Sequence, residues 1–378
     1  MTSDVDRMLP SKTPVMLLGP DGRPSAAGTA HLPADDELLR GFAGMVAARR
    51  FNDQASALVR QGRLAVYPSS HGQEACQVAA AQVLDAEDWL FPTYRDTAAV
   101  VARGGDPVEV LGLLKGDWHS GYDPYELRVG PLTTPLATQL PHAVGVAHAA
   151  RLRGERTVVL AMCGDGATSE GDFHEALNFA AVFHAPVVFF VQNNQYAISV
   201  PLARQSVAPS LAHKGVGYGI PGEQVDGNDL AALLDVLSGA VTRARAGEGP
   251  QLVEGRTYRI QAHTNADDAT RYRADDEVTA WAAKDPLVRL ETYLRAAGLL
   301  DDARAATFTE AAEDIARRTR DGMNRDVAPD PDDLFRFVYS RPTPQLVEQL
   351  AVVHDELSRD ESSRTEPRDT SDRAEAHR

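Results

Sequence analysis

The sequence predicts an α/β protein in which a parallel sheet is flanked by helices, followed by a helical C-terminal part. Two short apolar runs, Thr157 to Cys163 and Val187 to Val191, have the length and β-branched character of buried strands. Between them, residues 174–184 repeat apolar side chains at helical spacing, with Asp172 at the expected N-cap and Pro186 after the end. A strand, a helix and a strand in this order form a right-handed crossover, so the two strands should be parallel.

Other elements can be placed on either side of this central unit. Before it we expect an extended or disordered arm at residues 1–34, a long helix at 35–61 and a shorter helix at 73–84. A short strand with its turn should follow at 88–96, and two helices broken at Gly104–Gly105 at 98–116. After it we expect a short strand at residues 224–227, a helix capped by Asp229 at 230–246 and a second strand at 251–259. Amphipathic helices should follow at 275–324, a last helix at 345–357 and a disordered tail at 358–378.

Composition excludes several classes of protein. The chain has 378 residues, 43% of them hydrophobic, which is enough for a substantial core. A net charge of −16, with no run rich in Lys and Arg, argues against nucleic-acid binding. No apolar run approaches the roughly 18 residues of a membrane span, and we expect no signal peptide. The two cysteines, Cys76 and Cys163, fit a reducing compartment, so we expect a cytoplasmic protein.

Polar side chains follow both strands of the central unit. Asp165 comes just after the first strand, between Gly164 and Gly166, and Asn194 comes just after the second, 29 positions along the chain. The carboxyl ends of parallel strands meet at one edge of the sheet, where open α/β sheets bind ligands. A carboxylate and an amide oxygen suit Mg²⁺, whereas glycines and a helix N-terminus suit phosphate. The residues alone therefore predict a site for Mg²⁺ and a diphosphate.

Three further groups are ambiguous by themselves. Tyr94–Arg95 offers a hydroxyl and a guanidinium fork that suit phosphate, although the simpler interpretation is a surface Arg beside a packed Tyr. His263 is the only imidazole in the polar segment 260–273, which follows a strand end and so should reach the ligand edge. A surface histidine is the simpler interpretation there, and His119 is interpreted as a locally hydrogen-bonded loop residue.

Seven segments together resemble the α subunit of the decarboxylating component of 2-oxo acid dehydrogenase complexes. They are GRLAVYPSSHGQEA, FPTYRD, PLATQLPHAVG, GDGATSEGDFHEALNFAA, VQNNQYAIS, QVDGND and YRIQAHTNADDATRYR. The GDG and NN pair matches the thiamin diphosphate fingerprint. The likeness is greatest for bacterial branched-chain enzymes, with pyruvate enzymes as the alternative. It implies a thiamin diphosphate-binding fold over residues 35–357, and oxidative decarboxylation of a 2-oxo acid with acyl transfer to lipoyl groups.

The resemblance also implies roles for individual residues. The implied Mg²⁺ ligands are Asp165, Asn194 and the carbonyl oxygen of Tyr196. Other implied cofactor contacts are Tyr94, Arg95, Thr134, Leu136, Gly164, Gly166, Ala167, Glu170, Gln192, Ala197 and Ile198. A K⁺ site is implied at Thr133, Pro135, Thr138 and Gln139. His263 corresponds to the active-site histidine, which would contact the cofactor and stabilise or protonate intermediates with a near-neutral pKa.

Two departures from the family and one missing part affect these expectations. Gln192 stands where animal branched-chain enzymes have Arg, so one phosphate contact should be weaker. Thr264 replaces the Ser that a kinase modifies in animal relatives, so that regulation is not expected. The carboxylate that activates the cofactor belongs, in this family, to a pyrimidine-binding domain that we do not find in the chain. The resemblance therefore implies a β subunit in an α₂β₂ assembly, with a lipoyl-bearing acyltransferase as a further partner.

Two alternatives belong to other classes of protein. A Mg²⁺-dependent phosphohydrolase would use the same edge of the sheet, but it would need further carboxylates at strand ends, and the sequence offers no clear candidates. A non-catalytic scaffold subunit would keep the fold, but the presence of Asp165, Asn194 and His263 argues against it.

Overall fold

Five parallel strands form the central sheet of the computed structural model, which describes residues 5–116, 121–325 and 330–365. All strands of the described residues are, in chain order, β1 (Trp89–Phe91), β2 (Val159–Gly164), β3 (Val187–Asn193), β4 (Tyr196–Ala197), β5 (Val200–Pro201), β6 (Gly222–Asp226) and β7 (Gln251–Arg256). The central sheet has the order β1-β2-β3-β7-β6, and β4 and β5 form a separate two-residue antiparallel ladder. The predicted parallel pairing of the first two long strands is confirmed.

The α-helices of the described residues are α1 (Gly28–His31), α2 (Asp35–Arg60), α3 (Glu74–Gln82), α4 (Thr97–Ala102), α5 (Pro107–Lys115), α6 (Pro124–Leu127), α7 (Gln139–Leu152), α8 (Gly171–Val182), α9 (Leu230–Arg245), α10 (Asp275–Ala282), α11 (Pro286–Ala296), α12 (Asp302–Met323), α13 (Asp333–Arg336) and α14 (Pro344–Thr365). The described residues up to Asn324 form one compact unit, and those from Arg325 onward, with α13 and α14, form a second. The single domain predicted for residues 35–357 stays a prediction. Within the described residues, no helix combines the length and apolar character needed to cross a membrane.

Alternation along β2 and β3 divides the core between the two faces of the sheet. Leu160 and Met162 of β2 pack in the cluster that contains the buried sides of α2, α3 and α9. Val159, Ala161 and Cys163, one position out of phase, pack in the cluster that contains the buried sides of α7 and α8. Because both faces are covered, these strands are continuous apolar runs rather than alternating ones.

Register places the polar residues after β2 and β3 at one edge. Gly164, the last residue of β2, pairs with Gln192 of β3. Asp165 and Asn194 therefore leave the sheet beside each other, as the sequence predicted.

The arm before α2 is ordered against the sheet by a buried carboxylate. Asp229 Oδ2 accepts hydrogen bonds from the backbone N–H groups of Leu17 and Leu18, each at 2.7 Å. Asp229 Oδ1 accepts one from Ala232 N, so the residue also caps α9 as predicted. Burial raises the pKa of Asp229 to about 6. These hydrogen bonds attach the described part of the arm to the start of α9.

Two sequence-based boundaries need correction. The N-cap of α8 is Glu170, and Asp172 lies inside the first turn, where an acidic side chain suits the helix dipole. The last helix, α14, continues to Thr365, past the boundary predicted at residue 358. Residues 366–378 lie outside the described residues, as does His119.

Candidate active site at the carboxyl edge of the sheet

A cavity of about 440 Å³ opens where β2 and β3 end. The predicted site residues that line it are Tyr94, Arg95, Leu136, Gly164, Asp165, Gly166, Ala167, Glu170, Gln192, Asn194, Tyr196, Ala197, Ile198 and His263. Thr134 is the exception: it is exposed, whereas Thr133 and Pro135 on either side of it line the cavity. Its predicted contact with the cofactor stays a prediction.

Three oxygen atoms converge at the inner end of the cavity. Asn194 Oδ1 lies 3.0 Å from the carbonyl oxygen of Tyr196 and 3.3 Å from Asp165 Oδ1. The Asp165 side chain is 1% exposed, and burial raises its pKa to about 6. Its second oxygen, Oδ2, accepts a hydrogen bond from Gln205 Nε2 at 3.2 Å. Oxygens that face one another at these distances repel unless a proton donor or a cation lies between them.

The spacing of these oxygens fits Mg²⁺. Neighbouring ligands of an octahedron with bonds of about 2.1 Å lie about 3.0 Å apart. One carboxylate with two neutral oxygens leaves three positions for phosphate oxygens or water, as is usual for Mg²⁺ in proteins. Among the described residues, no cluster of three or more His, Cys, Asp or Glu residues is placed to hold a metal. The donor set therefore suits a hard, partly hydrated cation and does not suit a zinc-type site.

Gly166 is required by close packing at this edge. A β-carbon added at Gly166 would lie 2.7 Å from the Ala197 β-carbon, which is closer than carbon atoms can approach. At Gly164 the added carbon would meet nothing within 4 Å, so this backbone is open to a ligand. The predicted close approach to a ligand is therefore possible at Gly164, whereas Gly166 allows the segment that follows β3 to pack closely.

Arg95 and His263 form the opposite wall of the cavity. Arg95 is 5% exposed, and its Nη1 donates to the carbonyl oxygen of Ser69 at 2.8 Å. Its Nη2 lies 3.0 Å from His263 Nδ1 and 3.1 Å from the His263 carbonyl oxygen. Because a guanidinium only donates, His263 Nδ1 accepts and the ring proton is on Nε2. His263 is thus held by Arg95 as a neutral imidazole whose remaining N–H can donate.

The environment of His263 corrects the expectation of a near-neutral pKa. Burial, together with the positive charges of Arg95 and Arg259, lowers the pKa of His263 to about 4. A histidine with this pKa is neutral at physiological pH and acts there as a hydrogen-bond donor through Nε2 rather than as a reservoir of protons.

We expect this low pKa to make the cofactor-free protein less stable in mild acid. The unfolded chain binds a proton at His263 near pH 6.5, whereas the folded chain does so only near pH 4, so stability is lost as the pH falls through this window. The Tm of His263→Asn should therefore fall less than that of the wild type when the pH is lowered from about 7 to about 5. His31→Asn, an exposed histidine in α1, is the control. Equal losses for all three proteins would contradict the lowered pKa.

Several residues of the cavity were missed from the sequence. Arg259 is 1% exposed, follows β7, and donates through Nη2 to the carbonyl oxygen of Ile198 and to the Tyr272 hydroxyl, both at 2.8 Å. Its place at the end of the predicted strand, directly before the polar segment 260–273, was the available signal. Gln73, Asp96, Arg204 and Gln205 also line the cavity, but they come from loops and helices far apart in the chain, and no local pattern marks them.

Backbone strain collects around the same cavity. Five non-glycine residues of the described chain have positive φ, and two of them, Ala137 (64°) and Ile198 (55°), line the cavity. A third, Gln195 (75°), lies beside the converging oxygens. A β-branched residue such as Ile198 rarely adopts this conformation, and such strain is found mostly where function requires a particular backbone path.

The implied K⁺ site has one supporting feature. Gln139 Nε2 donates to the Met162 carbonyl oxygen at 2.6 Å, but its buried Oε1 has no hydrogen-bond partner among the described residues. A buried acceptor without a donor costs free energy unless a cation or water satisfies it. Potassium at this position stays a prediction that the geometry permits.

The fold and the cavity can be compared with known proteins. Residues 43–326 match the family model described as "Dehydrogenase E1 component". The chain is 47% identical over 347 residues, 92% of its length and 95% of the relative's, to the 3-methyl-2-oxobutanoate dehydrogenase subunit alpha of Mycobacterium tuberculosis. It is 37% identical over 327 residues, 86% of its length and 88% of the relative's, to the pyruvate dehydrogenase E1 component subunit alpha of Staphylococcus aureus.

Proposed function

The chain belongs to the dehydrogenase E1 component family, and from this premise we propose that it is the α subunit of a thiamin diphosphate-dependent dehydrogenase of branched-chain 2-oxo acids. The observation that carries the proposal is the convergence of the Asp165, Asn194 and Tyr196 oxygens opposite Arg95 and His263. A branched-chain substrate is favoured over pyruvate because the relative named for 3-methyl-2-oxobutanoate is 47% identical, against 37% for the pyruvate relative.

The cavity has the polarity that such a cofactor needs. When bound, thiamin diphosphate supplies a nucleophilic carbon and an electron sink for the decarboxylation. Asp165, Asn194 and the Tyr196 carbonyl would hold the Mg²⁺ that carries the diphosphate. Arg95 and Tyr94 would donate to phosphate oxygens, and Leu136, which is 42% exposed on the cavity wall, would pack against the rings.

The chain's own residues also prepare the reaction site. Arg95 fixes the orientation and tautomer of His263, so the Nε2–H group is ready to donate to a developing negative charge. Arg259, beside it, adds a second buried positive charge to the wall. Two guanidinium groups and an imidazole N–H make this wall suitable for anionic substrates and for an anionic cofactor.

The partners are part of the same proposal. The described residues contain one parallel sheet with one ligand edge. In the enzymes that the chain resembles, the carboxylate that activates the pyrimidine ring belongs to a second, pyrimidine-binding domain, which we assign to another polypeptide. We therefore include a β subunit, an α₂β₂ assembly and a lipoyl-bearing acyltransferase, acting in the cytoplasm. The phosphohydrolase alternative is disfavoured, since no cluster of metal-binding carboxylates accompanies Asp165 among the described residues.

A substrate panel with the β partner tests this function. We expect the assembled enzyme to require thiamin diphosphate and Mg²⁺, and to have a kcat/KM for 3-methyl-2-oxobutanoate at least about tenfold above that for pyruvate, since an apolar pocket distinguishes such side chains by about 1–3 kcal/mol. The α chain alone should show no turnover with either substrate. Comparable kcat/KM values would favour the pyruvate enzyme, and full activity of the α chain alone would refute the need for a partner.

A further inference from the structure

A chain of buried amides connects a carboxylate on one side of the cavity to the converging oxygens on the other. Gln192 Nε2 donates to Asp96 Oδ1 at 2.7 Å. Gln73 Nε2 donates to Gln192 Oε1 at 3.0 Å, and Asn194 Nδ2 donates to Gln73 Oε1 at 3.0 Å. We call these three side chains, Gln192, Gln73 and Asn194, the amide relay. All three are at most 6% exposed, so solvent cannot substitute for a lost partner.

At the Asp96 end of the relay, both carboxylate oxygens accept hydrogen bonds. Asp96 Oδ2 accepts from the backbone N–H and the hydroxyl of Thr93, at 2.8 and 2.9 Å. Asp96 Oδ1 also accepts from Gln77 Nε2 at 3.2 Å. The orientation of Gln77 is itself set by a backbone carbonyl, because the same nitrogen donates to the Arg95 oxygen at 3.1 Å. Burial raises the pKa of Asp96, and this set of donors opposes the rise by stabilising the carboxylate.

An ionised Asp96 determines the orientation of every amide that follows. A carboxylate only accepts, so Gln192 must present its nitrogen to Asp96 and its oxygen to Gln73. Gln73 then presents its oxygen to Asn194, which must donate its nitrogen. Asn194 Oδ1 is thereby left facing the Tyr196 carbonyl and Asp165 Oδ1, two further acceptors.

The Asn194 amide cannot reverse alone. With its nitrogen turned toward Asp165, its oxygen would face Gln73 Oε1 at 3.0 Å, so Gln73 and then Gln192 would have to reverse as well. The reversed relay would end with Gln192 Oε1 against Asp96 Oδ1 at 2.7 Å, which requires a protonated Asp96. In the observed orientation Asn194 Oδ1 accepts a hydrogen bond from Tyr196 N at 3.3 Å but also faces two acceptors, which a cation between them would satisfy. The reversed orientation loses that bond and requires a proton on Asp96.

We propose that Gln73 and Gln192 are positioning residues that use the Asp96 carboxylate to hold Asn194 Oδ1 on the metal. The inference rests on the proposed function, since the metal is the one that carries the cofactor. It assigns Gln192 a role different from the weakened phosphate contact expected from the sequence, which stays untested. Both functional ends of its amide are engaged within the protein. A glutamine can act in this relay because it both donates and accepts, whereas an arginine at this position could only donate.

The test is a comparison of Mg²⁺ affinities by calorimetry, with the assembled α and β enzyme at saturating thiamin diphosphate. Gln192→Met and Gln73→Met keep the side-chain length and remove one link each. We expect each to weaken Mg²⁺ about tenfold, the lower end of the effect of removing a group that orients a metal ligand. Gln251→Met is the matched control, because Gln251 is equally buried but begins β7, at the opposite end of the strand.

The same substitutions made in an Asn194→Asp variant distinguish loss of Asn194 orientation from general disruption of the site. In Asn194→Asp both side-chain oxygens can bind metal, so no amide orientation has to be selected. The other oxygen of this aspartate faces Gln73 Oε1 without a donor, so the relay cannot position it. Adding Gln192→Met or Gln73→Met to Asn194→Asp should therefore not weaken Mg²⁺ further, although each weakens it in the Asn194 protein. If each loss is the same in both backgrounds, or if neither substitution weakens Mg²⁺ in a protein that unfolds at the wild-type Tm, the relay has no positioning role. A wild type that binds neither Mg²⁺ nor thiamin diphosphate would instead overturn the proposed function, and the relay with it.

Discussion

Asp165→Ala should reduce the affinity for thiamin diphosphate with Mg²⁺ by roughly 10²–10⁴-fold, because removing one partner of a buried charge pair costs about 3–5 kcal/mol. Asp165 supplies the single carboxylate among the three converging oxygens, and it is 1% exposed. Without it, a divalent cation would lie in a buried site with only two neutral protein ligands. Titration calorimetry of the assembled enzyme measures the loss directly.

Asp165→Asn is the informative companion to Asp165→Ala. It keeps the size of the side chain and an oxygen ligand but removes the charge, so it should lie between the wild type and Asp165→Ala in affinity. Gln205→Met removes the amide that donates to Asp165 Oδ2, and it should reduce the affinity for the cofactor and Mg²⁺ less than either Asp165 substitution. If Asp165→Ala binds the cofactor and Mg²⁺ like the wild type, the metal assignment is wrong.

Arg95→Met should have the second largest effect, a loss of roughly 10²-fold in cofactor affinity, since charge-assisted hydrogen bonds to phosphate are about twice as strong as neutral ones. Arg95 is buried and its guanidinium also holds His263 by two contacts. The substitution should therefore lower kcat as well as affinity. Calorimetry of the cofactor and steady-state kinetics at saturating cofactor separate the two effects.

Arg95→Lys and Arg204→Met are the matched controls for Arg95→Met. Lysine keeps the charge without the planar fork, so Arg95→Lys should recover part of the affinity but little of the His263 orientation. Arg204 also lines the cavity but is exposed, and its charge is screened by solvent. If Arg204→Met costs as much as Arg95→Met, the effect is one of overall charge and Arg95 has no specific role.

The strand-helix-strand unit that contains β2 and β3 could be predicted from the sequence alone. Apolar runs at 157–163 and 187–191 correspond to β2 and β3, and the glycines and amides that follow them lie at the ligand edge. Strand ends and helical spacing depend on neighbours in the chain, so they can be inferred locally. The Asp165–Asn194 pair followed from these patterns, and His263 and Arg95 from the resemblance.

Other features of the site depend on groups that are distant in the chain. The low pKa of His263 results from burial beside Arg95, which lies 168 positions away. The relay joins Gln73 to Asn194 across 121 positions and Gln192 to Asp96 across 96. Amide orientation and pKa depend on which donors and charges surround a group after packing, and no local pattern encodes those partners.

The sequence by itself thus determined the α/β architecture, the edge of the sheet proposed to bind ligand and the chemical type of the proposed metal ligands, because these follow from periodicity and from where strands end. The tertiary structure decided the burial of Arg259, the neutral state of His263, the exposure of Thr134 and the direction of the amide relay. Each of these depends on the solvent excluded and the partners supplied when distant segments pack together.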